Sequence, residues 1–221
     1  MAPATLHRGD GCVIVSGSRE ARILADALPG AEVIDTLPCD PLPRAVIDAS
    51  HPCERGTHAL VAGWCAARSL PLLRHARPGW TAQAGDDWRV VADGAAARAA
   101  LAPEWSRVFL CLGRDGRMAF AGDADRHYLV RTRTDDPAAE GLVDFTLTAK
   151  AGPFTAQSEA DLMRAHRIDA LVTRDAGGEG AYPKIGGARL AGLPVVLIAR
   201  PPVACPVARS VEEARAWLAS L

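Results

Sequence analysis

The sequence alternates between short runs of β-branched and aliphatic residues and alanine-rich stretches with helical spacing. Each apolar run is short enough for one buried strand, and most of the alanine-rich stretches are long enough for one helix. This alternation is typical of βαβ units, in which a helix connects two parallel strands and covers one face of the sheet. The sequence therefore predicts an α/β fold with parallel sheets, rather than a β-sandwich or a helical bundle.

The predicted elements fill the chain from residue 12 onwards. We predict strands at 12–15, 32–34, 45–48, 71–73, 88–91, 107–112, 127–131, 145–149, 170–173 and 195–198, and helices near 19–28, 54–68, 94–101, 157–167, 182–191 and 211–221. Residues 37–44 are proline-rich, so the helix that usually connects two parallel strands is missing or much reduced there. At about 100 to 200 residues per domain, the chain suits two domains, which we place at 1–103 and 104–221 with Pro103 at the boundary.

Composition excludes several classes of function. Lys and Arg number 25 and Asp and Glu 26, so the net charge of −1 gives no field that would attract nucleic acid or an anionic membrane. The six cysteines are scattered without zinc-site spacing, so no bound metal is expected. No secretory signal and no apolar run of about eighteen residues is present, so we expect a cytoplasmic protein. Without a heptad repeat, a monomer and a small homo-oligomer both remain open.

Two predicted strands are followed by turns that suit a binding site. In an open parallel sheet, ligands bind beyond the carboxyl ends of the strands. Ser16, Gly17 and Ser18 join the first strand to the first helix, and either let a phosphate reach backbone N–H groups or form only a tight turn with a helix cap. His51 follows another strand and precedes Pro52, which holds it extended. It either donates a hydrogen bond or a proton, or satisfies local backbone.

Two later loops carry cationic side chains. The loop from Arg74 to Trp80 holds two arginines and an indole, and is either an anion site or a solvated surface loop with Trp80 packed beneath it. The segment from Thr173 to Lys184 places three glycines between a buried strand and a helix with one of the two lysines of the chain. Its backbone can close on an anion beside the ammonium of Lys184, or it can serve as a flexible hinge.

Taken in order, these segments resemble the precorrin-6A reductase family of cobalamin biosynthesis. The family motifs G-G-T-x-E-A, D-A-T-H-P-F, R-x-x-R-P-x-W, R-G-P-F, T-K-x-S-G-G-x-G-A-x-x-K and G-[IV]-P-V-[VI]-x-[IV]-x-R-P are matched by residues 16–21, 48–53, 74–80, 151–154, 173–184 and 192–201. The chain departs from the family where Ser16 and Cys53 replace glycine and phenylalanine, and where Arg174-Asp175-Ala176 replaces K-x-S. Only residues 31–44 remain of a longer family stretch that includes R-[IV]-G-G-F-G-G and a further helix.

The resemblance implies a fold and a reaction. The expected fold has two Rossmann-like domains with the active site in the cleft between them, and strand exchange between the domains is a family trait. The expected reaction is the NADPH-dependent reduction of a ring double bond in precorrin-6A, which gives precorrin-6B. Such a tetrapyrrole carries many carboxylates, which need several cations around the site.

The resemblance also implies roles for individual residues. We expect His51, Tyr182 and Lys184 to be catalytic, polarising the substrate or relaying a proton. The expected cofactor-binding residues lie in the small-residue turns: Ser16, Gly17, Ser18, Glu20, Ala21, Ser50, His51, Gly177, Gly178 and Gly180. The expected substrate-binding residues are Arg74, Arg77, Trp80, Arg174 and Lys184.

Two other classes of protein share features with this chain. One is a non-catalytic tetrapyrrole-binding or regulatory homologue that keeps the site but has lost productive NADPH binding, which the shortened stretch at 31–44 favours. The other is a cofactor-free enzyme resembling uroporphyrinogen-III synthase, which shares the architecture but not the ordered motifs. Binding of NADPH to the purified protein discriminates the first of these from the reductase.

Overall fold

The computed structural model describes residues 11–37, 41–132, 141–148 and 153–221. Residues 1–10, Cys39 and the Ala151-Gly152 half of one family motif lie outside the described residues. The strands are β1 Cys12–Val15, β2 Glu32–Ile34, β3 Ala45–Asp48, β4 Leu72–His75, β5 Trp88–Val91, β6 Arg107–Cys111, β7 His127–Arg131, β8 Phe145–Thr148, β9 Ala170–Arg174, β10 Val195–Ile198 and β11 Val207–Ala208. The helices are α1 Arg19–Ala27, α2 Arg55–Ala66, α3 Gly94–Ala99, α4 Arg114–Met118, α5 Ala156–Ala165, α6 Pro183–Ala191 and α7 Val211–Ala219.

The strands form two sheets in which all the pairs are parallel. The strand order is β11-β4-β3-β1-β2 in the first sheet and β5-β10-β9-β6-β7-β8 in the second. The predicted α/β class is therefore confirmed. In the first sheet β2 and β3 lie on opposite sides of β1, and the described residues between them, 35–37 and 41–44, form no helix. This agrees with the missing crossover expected from the proline-rich stretch.

The chain divides into two compact units at positions that differ from the expected division at Pro103. The first unit comprises residues 1–78 and 201–221, and the second comprises residues 79–200. The reason is that β5 pairs with β10 of the second sheet, whereas β11, near the C-terminus, pairs with β4 of the first. Each sheet thus receives an edge strand from the other half of the sequence, which agrees with the strand exchange that the resemblance implies.

In the first sheet, the central strands β1 and β3 are buried on both faces. Ile14 of β1 packs with Leu24 of α1 in one apolar cluster, and Val13 and Val15 pack with Val61 of α2 in the other. Successive side chains of a strand point to opposite faces, so a strand covered on both sides needs an uninterrupted apolar run. This requirement explains the sequence of β1. The parallel pairing of β1 with β3 places the turns after these two strands side by side, at the point where the strand order reverses.

The second sheet has the same reversal at β6, which has β7 on one side and β9 on the other. Helices α5 and α6 pack closely in this unit, and glycines allow this approach. A Cβ on Gly186 would lie only 2.9 Å from the Cβ of Ala156, and one on Gly187 only 2.5 Å from the Cβ of Glu159. The apolar side chains of Phe109, Leu171 and Ile185 lie in the core of this unit. Two short elements, α4 and β11, were not predicted.

Candidate functional site

In the first unit, the turn after β1 lies against the loop after β3. Gly17 has a φ of +126°, a conformation that residues with a Cβ rarely adopt. A Cβ at this position would lie 3.2 Å from the Cα of Ser50, so glycine allows the close approach of the two loops. The Ser18 hydroxyl donates to the carbonyl oxygen of Ala49 at 2.6 Å and joins the same loops. The structure therefore brings together the two segments that sequence analysis singled out.

A groove of about 530 Å³ lies beside the N-terminus of α1. Among the residues that line it are Ser16, Gly17, Ser18, Arg19, Arg22 and Asp35. Ser18 is the N-cap residue, but its side chain makes no capping hydrogen bond, because the hydroxyl is directed to Ala49. Helix N-termini attract anions, and the groove adds two guanidinium groups. The groove suits a phosphate-bearing ligand, and cofactor binding by Ser16, Gly17 and Ser18 stays a prediction.

The loop after β3 is held by a buried carboxylate. Asp48 has no exposed surface, and its Oδ1 accepts from the backbone N–H of Ser50 at 2.9 Å. Its two oxygens also contact Arg74 Nη1 at 2.6 Å and His58 Nδ1 at 2.7 Å. Burial by itself would raise the pKa of Asp48, but the positive charge of Arg74 and the hydrogen bonds from Ser50 and His58 lower it on balance. Asp48 therefore remains an ionised anchor for this loop.

Arg74 is a buried support of the loop after β3, and the substrate contact predicted for it stays a prediction. Its side chain is 3% exposed, and besides its contact with Asp48 it donates to Ser50 Oγ at 2.7 Å. Its Nη2 donates to the carbonyl oxygens of Ser50 and His51 at 3.1 and 2.9 Å. The same contacts bury the Ser50 side chain, which we had expected at the cofactor. Arg74 and Ser50 therefore position the His51 loop.

The hydrogen bonding of His51 fixes the tautomer of its neutral ring. The backbone N–H of Cys53 donates to His51 Nδ1 at 3.2 Å. An amide N–H can only donate, so Nδ1 must carry a lone pair and the proton of the neutral ring lies on Nε2. His51 is only partly buried. The roles predicted for His51, polarising a substrate or relaying a proton, stay predictions.

Glu20 and Arg77 form an ion pair, with Arg77 Nη1 2.7 Å from Glu20 Oε2. Burial would raise the pKa of Glu20, but the hydrogen bond and charge of Arg77 lower it on balance. This pair ties the segment after β4 to α1. Ala21 is 1% exposed and packs in the apolar cluster that includes Leu24. The direct contacts that we predicted for Glu20 and Ala21 with the cofactor, and for Arg77 with the substrate, stay predictions.

In the second unit, Asp175 ties the Trp80 segment to the glycine-rich loop. The backbone N–H of Trp80 donates to Asp175 Oδ1 at 3.0 Å, and the indole Nε1 donates to the carbonyl oxygen of Gly178 at 2.9 Å. Gly177 and Gly178 have φ values of +65° and +66°, which this loop shape requires. Gly180 has open space at its Cα. Trp80 is thus fixed by two hydrogen bonds, and Asp175, which directly follows β9, is a site residue that sequence analysis missed.

Lys184 lies in the first turn of α6, close to Trp80. Its Nζ donates to the carbonyl oxygen of Ala181 at 2.8 Å and lies 5.3 Å from the centroid of the Trp80 ring. Burial lowers the pKa of Lys184. The Tyr182 ring stands edge-on to Trp80 at 6.1 Å, and its hydroxyl accepts from Arg189 at 2.8 Å. The two catalytic candidates of this segment, Tyr182 and Lys184, thus both lie beside the Trp80 ring, and their catalytic roles stay predictions.

Two further arginines lie at carboxyl ends of strands in the second sheet. Arg174 ends β9, and its Nη2 lies 3.4 Å from where a Cβ on Gly113 would be, in the turn after β6. Arg131 ends β7 and makes two 2.9 Å hydrogen bonds to the buried carboxylate of Glu159. Its Nε has no hydrogen-bond partner among the described residues. Sequence analysis missed Arg131, although its place at the end of a strand was a usable signal.

No helix among residues 11–37, 41–132, 141–148 and 153–221 is both long enough and apolar enough to cross a bilayer. In the same ranges, no group of three or more His, Cys, Asp or Glu side chains is placed to hold a metal ion.

The family model of the precorrin-6x reductases CbiJ/CobK matches residues 39–219. The chain belongs to this family. The precorrin-6A reductase of Rhodobacter capsulatus is 40% identical over 79% of this chain and 70% of the relative. That of Rhodococcus erythropolis is 34% identical, with 95% of this chain and 97% of the relative covered. A solved structure of a CobK precorrin-6A reductase superposes with a TM-score of 0.77 at 34% identity, covering 96% of this chain and 97% of that one.

These matches confirm the resemblance that the ordered motifs carried. They agree with the α/β class and the two parallel sheets. They favour a reductase over a cofactor-free enzyme resembling uroporphyrinogen-III synthase. A nicotinamide cofactor is the usual hydride source of a reductase. The non-catalytic alternative gains no support from them.

Proposed function

We propose that this protein is a precorrin-6A reductase that reduces one ring double bond of precorrin-6A to give precorrin-6B, with NADPH as the donor. Family membership supports the reaction class. The observation that carries the proposal is the close approach of the Gly17 turn to the His51 loop, at the reversal point of a parallel sheet. This is the place where open α/β sheets bind nucleotides and their substrates.

The groove beside α1 fits the phosphate-bearing part of a nicotinamide dinucleotide. The absence of a side chain on Gly17 lets this turn approach Ser50, and the side chain of Ser18 does not cap the helix end. Ser16, Gly17, Ser18 and Arg19 would hold the pyrophosphate through backbone N–H groups, hydroxyls and one cation. When bound, the reduced nicotinamide supplies the hydride.

The side chains of this chain would then orient the macrocycle and supply the proton. Reduction of a carbon–carbon double bond adds a proton to one carbon, so a group that can release one is needed. Of the three catalytic candidates, Lys184, whose pKa burial lowers, would release the proton, and His51, whose neutral ring carries its proton on Nε2, would polarise the substrate. Tyr182 is the third, with its hydroxyl held by Arg189.

Substrate carboxylates would bind the cations that lie at strand ends and in loops. We propose Arg77, Arg174 and Lys184 for these contacts, with Trp80 as an aromatic surface held by Asp175 and Gly178. Guanidinium groups pair with carboxylates through two parallel hydrogen bonds, which orients a planar substrate as well as binding it.

The test is an anaerobic incubation of the purified protein with precorrin-6A and NADPH. Nicotinamide absorbance and the macrocycle spectrum are followed together. Equal molar loss of NADPH and precorrin-6A is the expected result. Retention of precorrin-6A on the protein without oxidation of NADPH would contradict the proposal and favour the non-catalytic homologue.

A further inference from the structure

Asp35 is the first residue after β2 and lies where two grooves of the first unit meet. One is the groove beside α1. The second has a volume of about 350 Å³ and is mostly apolar, with Ile34, Leu37, Leu60 and Trp64 among the residues that line it. Asp35 lines both. A ligand with an apolar flat end, a central hydroxyl-bearing part and an anionic end would match this arrangement.

The carboxylate of Asp35 is held in place by the phosphate-binding turn. The Ser16 hydroxyl donates to Asp35 Oδ1. A carboxylate has two acceptor oxygens and several lone pairs, so Oδ2 can still accept from a ligand hydroxyl. In dinucleotide-binding parallel sheets, an acidic residue at the end of the second strand accepts from the 2′-hydroxyl of the adenosine ribose. A 2′-phosphate at the same place would bring two anions together, and their repulsion would disfavour it.

Arg19 and Arg22 also line the groove beside α1. Arg19 is the first residue of α1, next to the turn of Ser16, Gly17 and Ser18, so its charge suits the pyrophosphate. Arg22 lies one turn further along the helix. All three side chains are exposed, but the carboxylate of Asp35 is also held by the Ser16 hydroxyl at the end of the strand. The fixed carboxylate therefore governs which group can occupy the ribose 2′ position.

We infer that Asp35 and the apolar groove beside it hold the adenosine half of the dinucleotide, with adenine against Leu60 and Trp64 and the ribose 2′-hydroxyl on Asp35. This chain then binds NADH at least as tightly as NADPH. The inference rests on the proposed function, since it concerns the same cofactor site, and it adds NADH as a donor beside the NADPH named there.

Isothermal titration calorimetry on the full chain tests the inference without turnover. NADH and NADPH are compared, together with 5′-AMP and 2′,5′-ADP, which lack the nicotinamide. In the unchanged protein, NADH is expected to bind as tightly as NADPH or more tightly. Asp35→Asn is expected to weaken NADH about tenfold, the loss of one charge-assisted hydrogen bond, and to tighten NADPH.

Two further variants test whether the effect is specific to Asp35 and whether adenine occupies the apolar groove. Asp26→Asn removes an exposed acidic side chain elsewhere on α1 and should leave the NADH to NADPH ratio unchanged. Leu60→Trp fills the apolar groove at a side chain that is 64% exposed, so the fold should tolerate it. It should weaken both dinucleotides by a similar factor and leave their ratio unchanged.

The outcomes distinguish this inference from the proposed function. Tighter binding of NADPH by tenfold or more, with a ratio that Asp35→Asn does not move, would overturn the role of Asp35 and leave the reductase proposal standing. Absence of binding by either dinucleotide and by both fragments would overturn both. A Leu60→Trp variant that binds both dinucleotides normally would exclude adenine from the apolar groove.

Discussion

Replacement of Arg74 by methionine is expected to destabilise the first unit by about 3–5 kcal/mol. The side chain is 3% exposed and contacts Asp48, Ser50 and the carbonyl oxygen of His51. Methionine fills similar space but leaves Asp48 as a buried carboxylate without its cation. Each charge-assisted hydrogen bond contributes about 1.5–3 kcal/mol, but these bonds share the guanidinium of Arg74 and their energies do not add. The expected loss is therefore about 3–5 kcal/mol, the loss that follows when one partner of a buried ion pair is removed.

Urea unfolding followed by far-ultraviolet circular dichroism measures this loss. With an m-value of about 2 kcal/mol per M, a loss of about 4 kcal/mol lowers the midpoint by about 2 M. Arg44→Met, at an exposed arginine of the same unit, is the matched control and should change stability by less than about 0.5 kcal/mol. The Asp48→Asn/Arg74→Met double variant should recover part of the loss, because it removes both charges.

Two results would refute this reasoning. One is a loss below about 1 kcal/mol for Arg74→Met, the range of a surface ion pair. The other is a double variant less stable than Arg74→Met, which would mean that the buried charge of Asp48 is not the cause. Normal stability with a raised KM for precorrin-6A would instead support the predicted contact of Arg74 with the substrate.

Three other predictions concern Gly17, Lys184 and Asp48. Gly17→Ala should abolish detectable NADPH binding, because its Cβ would press on Ser50 and its φ is +126°, whereas Gly63→Ala, with open space at its Cα, should bind normally; calorimetry measures both. The rate of reduction should fall as pH rises through a pKa below the ordinary Lys value of 10.5, since the proposed proton donor is the protonated amine of Lys184; a Lys184→Arg variant that retains this limb would exclude Lys184 as the donor. Asp48 has a pKa below its ordinary 3.8, so its contribution to stability is complete above that value and is lost as pH falls further; acid unfolding of Asp48→Asn should lack this component, and an unchanged profile would contradict it.

Several elements could be predicted from the sequence to the residue, because their signal is local. β1, β3, β5, β7 and β10 have the predicted bounds, since each is a short apolar or β-branched run between turn-forming residues. The missing crossover could also be predicted from proline alone. Helix α4 and strand β11 could not, because five and two residues are too few for any periodicity to appear.

The sequence by itself determined the α/β class, most of the elements, the family and the turns that follow β1 and β3. These depend on local composition and on the order of short motifs. Only the tertiary structure decided the unit boundaries, because the edge of a parallel sheet accepts a strand from any part of the chain and leaves no local signal. The tertiary structure alone also showed that Arg74 is buried and supports the His51 loop. The partners of Arg74, Asp48 and Ser50, lie 26 and 24 residues away in the sequence and contact it because β3 pairs with β4. Burial and partners, rather than residue type, set the role of a charged side chain.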